Sequence, residues 1–177
     1  MSVDLERFVR DIPDFPKPGI VFKDITPLMA DAGALHEAVQ AIADDVRARH
    51  GGVDVIIAAE ARGFLLGPAV ALELGAGFVL ARKPGKLPWS TVRAEYLLEY
   101  GSDALELHSD AIAAGARVLV HDDLLATGGT ARALCSLVEQ SGGTVLGCAF
   151  LIELAFLGGR EKLEGYDVHA LLRYDAE

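Results

Sequence analysis

The segment Val118-Leu119-Val120-His121-Asp122-Asp123-Leu124-Leu125-Ala126-Thr127-Gly128-Gly129-Thr130-Ala131 limits the choice of fold more than any other. A short apolar run leads into two adjacent carboxylates, a Thr/Gly loop and the start of a helical pattern. Such a run suits a strand inside a parallel sheet, covered on both faces. The helix that follows starts with backbone N–H groups that have no intrahelical partner, and its dipole adds partial positive charge there. Glycine tolerates φ > 0 and lets the backbone close around an anion. Thr127 and Thr130 add hydroxyl donors. The segment reads as a phosphate cradle at the C-terminal end of a strand, where ligands of open α/β sheets bind. Asp122 and Asp123 repel phosphate, so they suit a neighbouring diol such as the 2- and 3-hydroxyls of a ribose. Either half alone is as well read as a solvated turn or a tight connection; the combination carries the weight.

The remaining pattern agrees with such a sheet. Leu35, Ala38, Val39, Ile42 and Val46 mark an amphipathic helix ended by Gly51-Gly52. Residues 53–59 read as a buried strand, 64–74 as a helix, 78–81 as a strand, 118–120 as a strand, 130–140 as a helix, and 145–152 and 168–172 as strands. Strands alternating with helices imply an α/β fold with a mostly parallel sheet flanked by helices. Leu5, Phe8, Val9 and Ile12 keep helical spacing behind a possible Ser2 cap, which predicts an N-terminal helix broken at Pro13, Pro16 and Pro18. Residues 20–22 form a short extended piece. The pattern changes between about Lys83 and Asp110. Pro84, Gly85 and Pro88 make a loop, followed by strands at 95–100 and 105–108 joined at Gly101-Ser102-Asp103. A hairpin inserted there is either a surface ornament or a flap over a site. No repeat or linker divides the chain, so residues 1–177 are expected to form a single domain.

Bulk properties exclude some functions. The formal net charge of −10 argues against non-specific nucleic-acid binding and against an anionic membrane surface. Cys135 and Cys148 lie in apolar surroundings and read as two reduced core thiols, with no metal-binding spacing. The N-terminus has no apolar signal core, and no uncharged apolar run approaches the ~20 residues of a spanning helix. A cytoplasmic protein is expected.

Asp122 to Thr130 resembles the phosphoribosyl pyrophosphate motif of the type I phosphoribosyltransferases, in the form found in members that act on adenine. The likeness runs from about residue 5 to 172 with the motifs in order. It implies the type I phosphoribosyltransferase-like sheet, with an N-terminal base-binding hood at about 1–30 and an inserted flap hairpin at about 83–110. Ala126, Thr127, Gly128, Gly129 and Thr130 would then hold the 5-phosphate of phosphoribosyl pyrophosphate, and Asp122 and Asp123 its ribose hydroxyls. Glu60-Ala61-Arg62-Gly63-Phe64 occupies another strand-end loop. On residue type alone Arg62 is a surface charge; beside the first motif it resembles the family's pyrophosphate loop, which in relatives often holds a non-proline cis peptide.

Arg82, Lys83, Lys86 and Arg93 fall within twelve residues that contain no acid. By resemblance this loop reaches the pyrophosphate, with Lys86 as the best-placed cation and Lys83 beside it. Leu98-Glu99-Tyr100-Gly101 resembles the closing flap. There Glu99 is the family's candidate general acid/base and Tyr100 helps seal the site. Residues 14–27 resemble the hood: backbone groups of Val21 and Lys23 would read the adenine edge, and Phe22 and Leu124 would sandwich the ring. Lys23 stands where some members have Arg. His121 stands where the family has an apolar strand residue, and is read as a packed histidine; whether it makes activity depend on pH near neutrality is open.

The resemblance implies transfer of ribose 5-phosphate to N9 of adenine, giving AMP and pyrophosphate, with Mg²⁺ held mainly by substrate and water, and a homodimer. Two other readings stand beside it: a related transferase using xanthine, guanine, hypoxanthine or orotate, and a non-catalytic sensor of phosphoribosyl pyrophosphate that binds nucleic acid. The hood opposes the first, the charge the second. A P-loop kinase lacks its G-x-x-x-x-G-K-[ST] pattern here.

Overall fold

A computed structural model describes residues 4–97 and 102–176. Strand β1 (Arg10–Ile12) pairs antiparallel with β2 (Phe22–Asp24), Ile12 lying opposite Phe22. The helix expected from Leu5 to Ile12 is absent: only Leu5–Phe8 turn, as a 3-10 helix. Pro13 favours extended backbone at the residue before it, and pairing with β2 supplies the hydrogen bonds a helix would have made. Asp24 starts the next element by accepting from the Thr26 N–H at 2.9 Å, and Pro27 sits in the first turn of α1 (Thr26–Ala30).

Helix α2 (Ala32–His50) is capped by the Asp31 carboxylate, which accepts from the Ala34 N–H at 2.8 Å. It ends at Gly51, whose φ of 72° most side chains avoid, with Arg47, Arg49 and His50 in its last turn. Its buried stripe of Ala34, Ala38, Val39, Ile42, Ala43 and Val46 is the one its periodicity predicts.

Then follow β3 (Val55–Ala59), α3 (Gly63–Leu74), β4 (Gly77–Ala81), β5 (Thr91–Leu97), β6 (Ser102–His108), β7 (Arg117–Leu125), α4 (Gly129–Gln140), β8 (Thr144–Leu154) and β9 (Val168–Tyr174). The sheet order is β4-β3-β7-β8-β9 and every pairing in it is parallel. One face carries α2 and α3 over Leu119, Ala149 and Leu151. The other carries α4 over Val118, Val120, Cys148 and Phe150. This parallel sheet places the ends of β3, β4 and β7 along one edge of the molecule, which sets the site.

The hairpin of β5 and β6 is antiparallel, and its first strand begins at Thr91, earlier than expected. Ala94, Leu105 and Leu107 belong to the buried core under α4, so the base of the hairpin is core as well as cover. Glu99 and Tyr100 lie outside the described residues. Cys135 and Cys148 are free and buried, with their sulfurs 3.7 Å apart, as reduced core thiols. Among the described residues no helix is long and apolar enough to cross a membrane.

Candidate functional site

Strand β7 runs on through the acidic pair, so Asp122 and Asp123 are strand residues with side chains of opposite direction. Asp122 lies beside Gly63 at the start of α3, where a Cβ would come 3.1 Å from its Oδ1. Glycine there lets α3 approach the carboxylate. Asp123 is buried on the opposite face, with Arg62 Nε 3.6 Å from its Oδ2. Its other oxygen, Oδ1, is buried and has no hydrogen-bond partner among the described residues. Burial, with the charge of Asp123 beside it, pushes the Asp122 carboxyl well above the usual carboxylate range. Burial also raises Asp123, against the opposing effect of Arg62.

Beyond Leu125 the chain makes the loop that the Gly/Thr pattern predicts. Gly128 takes a φ of 78°, and no side chain caps α4. The first amides of α4 therefore open outward, at the positive end of its dipole. Arg62, Asp122, Leu124, Ala126, Thr127, Gly128, Gly129 and Thr130 together line a cavity of about 110 Å³. A second cavity of about 200 Å³ shares Arg62, Asp122 and Thr130 with it, and adds Glu60, Lys83 and Tyr96. The two form one crevice along the strand ends, with an anion cradle on one side and a mixed wall on the other.

The loop before α3 includes a cis peptide between Glu60 and Ala61. Glu60, whose partners leave no mark in the local sequence, accepts from Arg82 Nη2 at 3.0 Å and from the Lys83 backbone N–H. The latter bond, more than the Arg82 charge, holds its carboxyl below the ordinary value. The cationic stretch is thus partly neutralised across the fold: Arg82 pairs with Glu60, Lys83 with Asp103, and Arg93 with Glu95. Lys83 lines the crevice, whereas Lys86 stands exposed at the Gly85 turn, outside the lining residues. The acid partners lie far away in sequence, so no local pattern signals them, except for Glu95.

The hood meets the site through Arg62, whose guanidinium carbon is 5.7 Å from the centroid of the Phe22 ring. Lys23 turns its side chain inward: Nζ is 2.7 Å from Asp11 Oδ1 and 4.3 Å from the Tyr174 ring centroid. Its ammonium is engaged within the fold. Leu124 lines the cradle; Val21 and Phe22 are half-buried and outside both cavities.

His121 is fully buried, and its Nδ1 donates to the Ala149 carbonyl at 2.9 Å. Burial pushes its pKa down to about 4. It is neutral near pH 7 and belongs to the packing. Gly159 closes on the cradle from behind, and nothing in the local sequence signals it.

Comparison with known proteins bears on this geometry. Residues 30–170 match the phosphoribosyl transferase domain family. The chain is 60% identical over 167 residues to an adenine phosphoribosyltransferase of Rubrobacter xylanophilus, covering 94% of this chain and 89% of that one. Among solved structures, the adenine phosphoribosyltransferase of Thermoanaerobacter pseudethanolicus superposes with a TM-score of 0.93 at 52% identity, covering 97% of this chain and 98% of that one. The Saccharomyces cerevisiae adenine phosphoribosyltransferase, in complex with D-2,5-dideoxy-2,5-imino-altritol 1,6-bisphosphate and adenine, gives 0.92 at 42% identity, over 96% of this chain and 97% of that one.

Proposed function

The chain belongs to the phosphoribosyltransferase family, and on that premise we propose that its crevice joins adenine to phosphoribosyl pyrophosphate, giving AMP and pyrophosphate in purine salvage. The observation that carries the reading is the carboxylate pair at the end of β7: Asp122 lines one cavity with Arg62 and the uncapped N-terminus of α4, and Asp123, next to it in the chain, keeps a buried, unpartnered Oδ1. An acceptor left without a donor is costly inside a protein. A ribose hydroxyl supplies that donor while its 5-phosphate takes the amides of Ala126–Thr130. Asp122 and Asp123 then lie where positive charge develops on the ribose ring as the bond to pyrophosphate breaks. Arg62 and Lys83 face the departing pyrophosphate, with Lys86 on the adjacent turn. N9 of adenine takes the sugar carbon, and the purine proton passes to Glu99, a role that rests on the resemblance alone. Tyr100, on the same flap, would keep water from competing for the sugar.

Mg²⁺ fits this donor set. Among the described residues no group of three or more His, Cys, Asp or Glu could hold an ion by itself. The site instead offers Asp122, which lines the cavity, to an ion that keeps waters and substrate oxygens as its main ligands. When bound, it would neutralise charge on the pyrophosphate. Two further readings accompany this one. A homodimer is supported by exposed Leu65 and Leu72 on α3, Leu80 on edge strand β4, and Trp89. A cytoplasmic setting suits the unbridged thiols of Cys135 and Cys148.

Asp123→Asn tests the reading. It is expected to lower kcat about a hundredfold while the circular dichroism spectrum stays that of the unaltered protein. An unchanged kcat would remove Asp123 from the chemistry, and an unfolded variant would make it structural.

A further inference from the structure

The phosphate cradle is braced from outside the site. Glu153, near the end of β8, lies opposite Leu125 of β7 in the sheet, one residue before the cradle begins. Its side chain is buried, and both its oxygens take the fork of Arg160: Nε to Oε1 at 2.6 Å and Nη2 to Oε2 at 2.8 Å. The third nitrogen, Nη1, donates to the Val168 carbonyl at 2.7 Å. One guanidinium therefore ties the segment after β8 to both β8 and β9. The next residue toward the N-terminus is Gly159. It has no room for a side chain: a Cβ there would run into the carbonyl oxygen of Ala126 and come 3.0 Å from Leu125 Cδ1. Reciprocally, a Cβ on Gly128 would run into the carbonyl oxygen of Gly159. On the far side, Leu163 is anchored in the core that contains Leu125.

We infer that the Glu153–Arg160 pair is a positioning device for the phosphate loop, acting through the backbone of Gly159. Neither side chain lines the crevice. Their effect is to fix the wall against which Ala126 and Gly128 rest, and so the direction of the amides that meet an anion. A paired fork suits this task because it fixes orientation as well as distance, which a single ammonium does not. The inference rests on the reading of Ala126–Thr130 as the holder of the 5-phosphate. It predicts an effect confined to one end of the substrate, because the pyrophosphate end meets Arg62 and Lys83, which Gly159 does not brace.

The test compares the affinities of ribose 5-phosphate and of pyrophosphate, by calorimetry, in the unaltered protein, Gly159→Ala, Arg160→Lys and Thr130→Ala. Gly159→Ala pushes directly on the loop. Arg160→Lys keeps a positive charge beside buried Glu153 but loses the fork, so the brace is still tested where Gly159→Ala fails to fold. Both are expected to weaken ribose 5-phosphate about tenfold and leave pyrophosphate unchanged. Equal loss of both ligands, or of neither, would overturn the brace. Thr130→Ala separates the two levels: if it leaves ribose 5-phosphate binding unchanged, the loop reading itself fails. If it weakens binding while the other two variants do not, only the brace fails.

Discussion

His121 breaks an apolar strand two residues before the carboxylate that faces Arg62, and its burial has a measurable consequence. Its pKa falls from 6.5 to about 4 on folding, so the unfolded chain takes up the proton first. Its contribution leaves stability undiminished above about pH 6.5 and removes it progressively as pH falls toward about 4, by up to about 3 kcal/mol. His121→Val is expected to flatten the dependence of unfolding free energy on pH across that window, and to leave the pH–rate profile near neutrality unchanged. Urea unfolding at a series of pH values checks the first part; a slope equal to that of the unaltered protein would contradict it. The sequence shows that His121 is out of place in the strand. It does not show the Ala149 carbonyl that fixes the ring, which comes from a neighbouring strand. The same holds for Lys23: its position in the hood is legible, whereas its partners Asp11 and Tyr174 are brought to it by folding.

At the scale of elements, the apolar start of β7, the loop and the helix α4 were readable because each rests on a local rule (apolar run, glycine conformation, helix periodicity), whereas the run of β7 past Val120 through Asp122 and Asp123 to Leu125, paired with β8, was not. The first residues misled for the same reason. Leu5, Phe8, Val9 and Ile12 have helical spacing, but β2 offers a partner that no local rule contains. The inserted hairpin was readable as two strands, and its part in the core under α4 was not. The loop-to-helix junction gives the test at this scale. Gly128 has a φ of 78° and a Cβ there would run into the Gly159 carbonyl, so Gly128→Ala combines backbone strain with a steric conflict. It is expected to cost about 1–2 kcal/mol, read as a lower thermal midpoint, and to weaken ribose 5-phosphate binding. A midpoint and an affinity equal to those of the unaltered protein would show that the loop does not need this conformation.

For the whole molecule, the parallel sheet brings the ends of β3, β4 and β7 together, and so joins motifs that the chain keeps apart. Their joint placement in one crevice was legible because strand-end loops of such sheets share an edge. The neutralising partners Glu60 and Asp103 were not, since charge pairing across the fold leaves no mark on sequence spacing. The apolar face of α3 and β4 predicts a second copy of the chain: Leu72→Lys, at a position 83% exposed, should shift sedimentation toward the monomer without loss of fold. Sedimentation equal to that of the unaltered protein would contradict an interface on this face. The account as a whole rests on one reaction with one base. The most direct measurement is turnover of adenine, hypoxanthine, guanine, xanthine and orotate, each with phosphoribosyl pyrophosphate and Mg²⁺. The account predicts rapid conversion of adenine to AMP and little of the others; preferred turnover of another base, or of none, would contradict it.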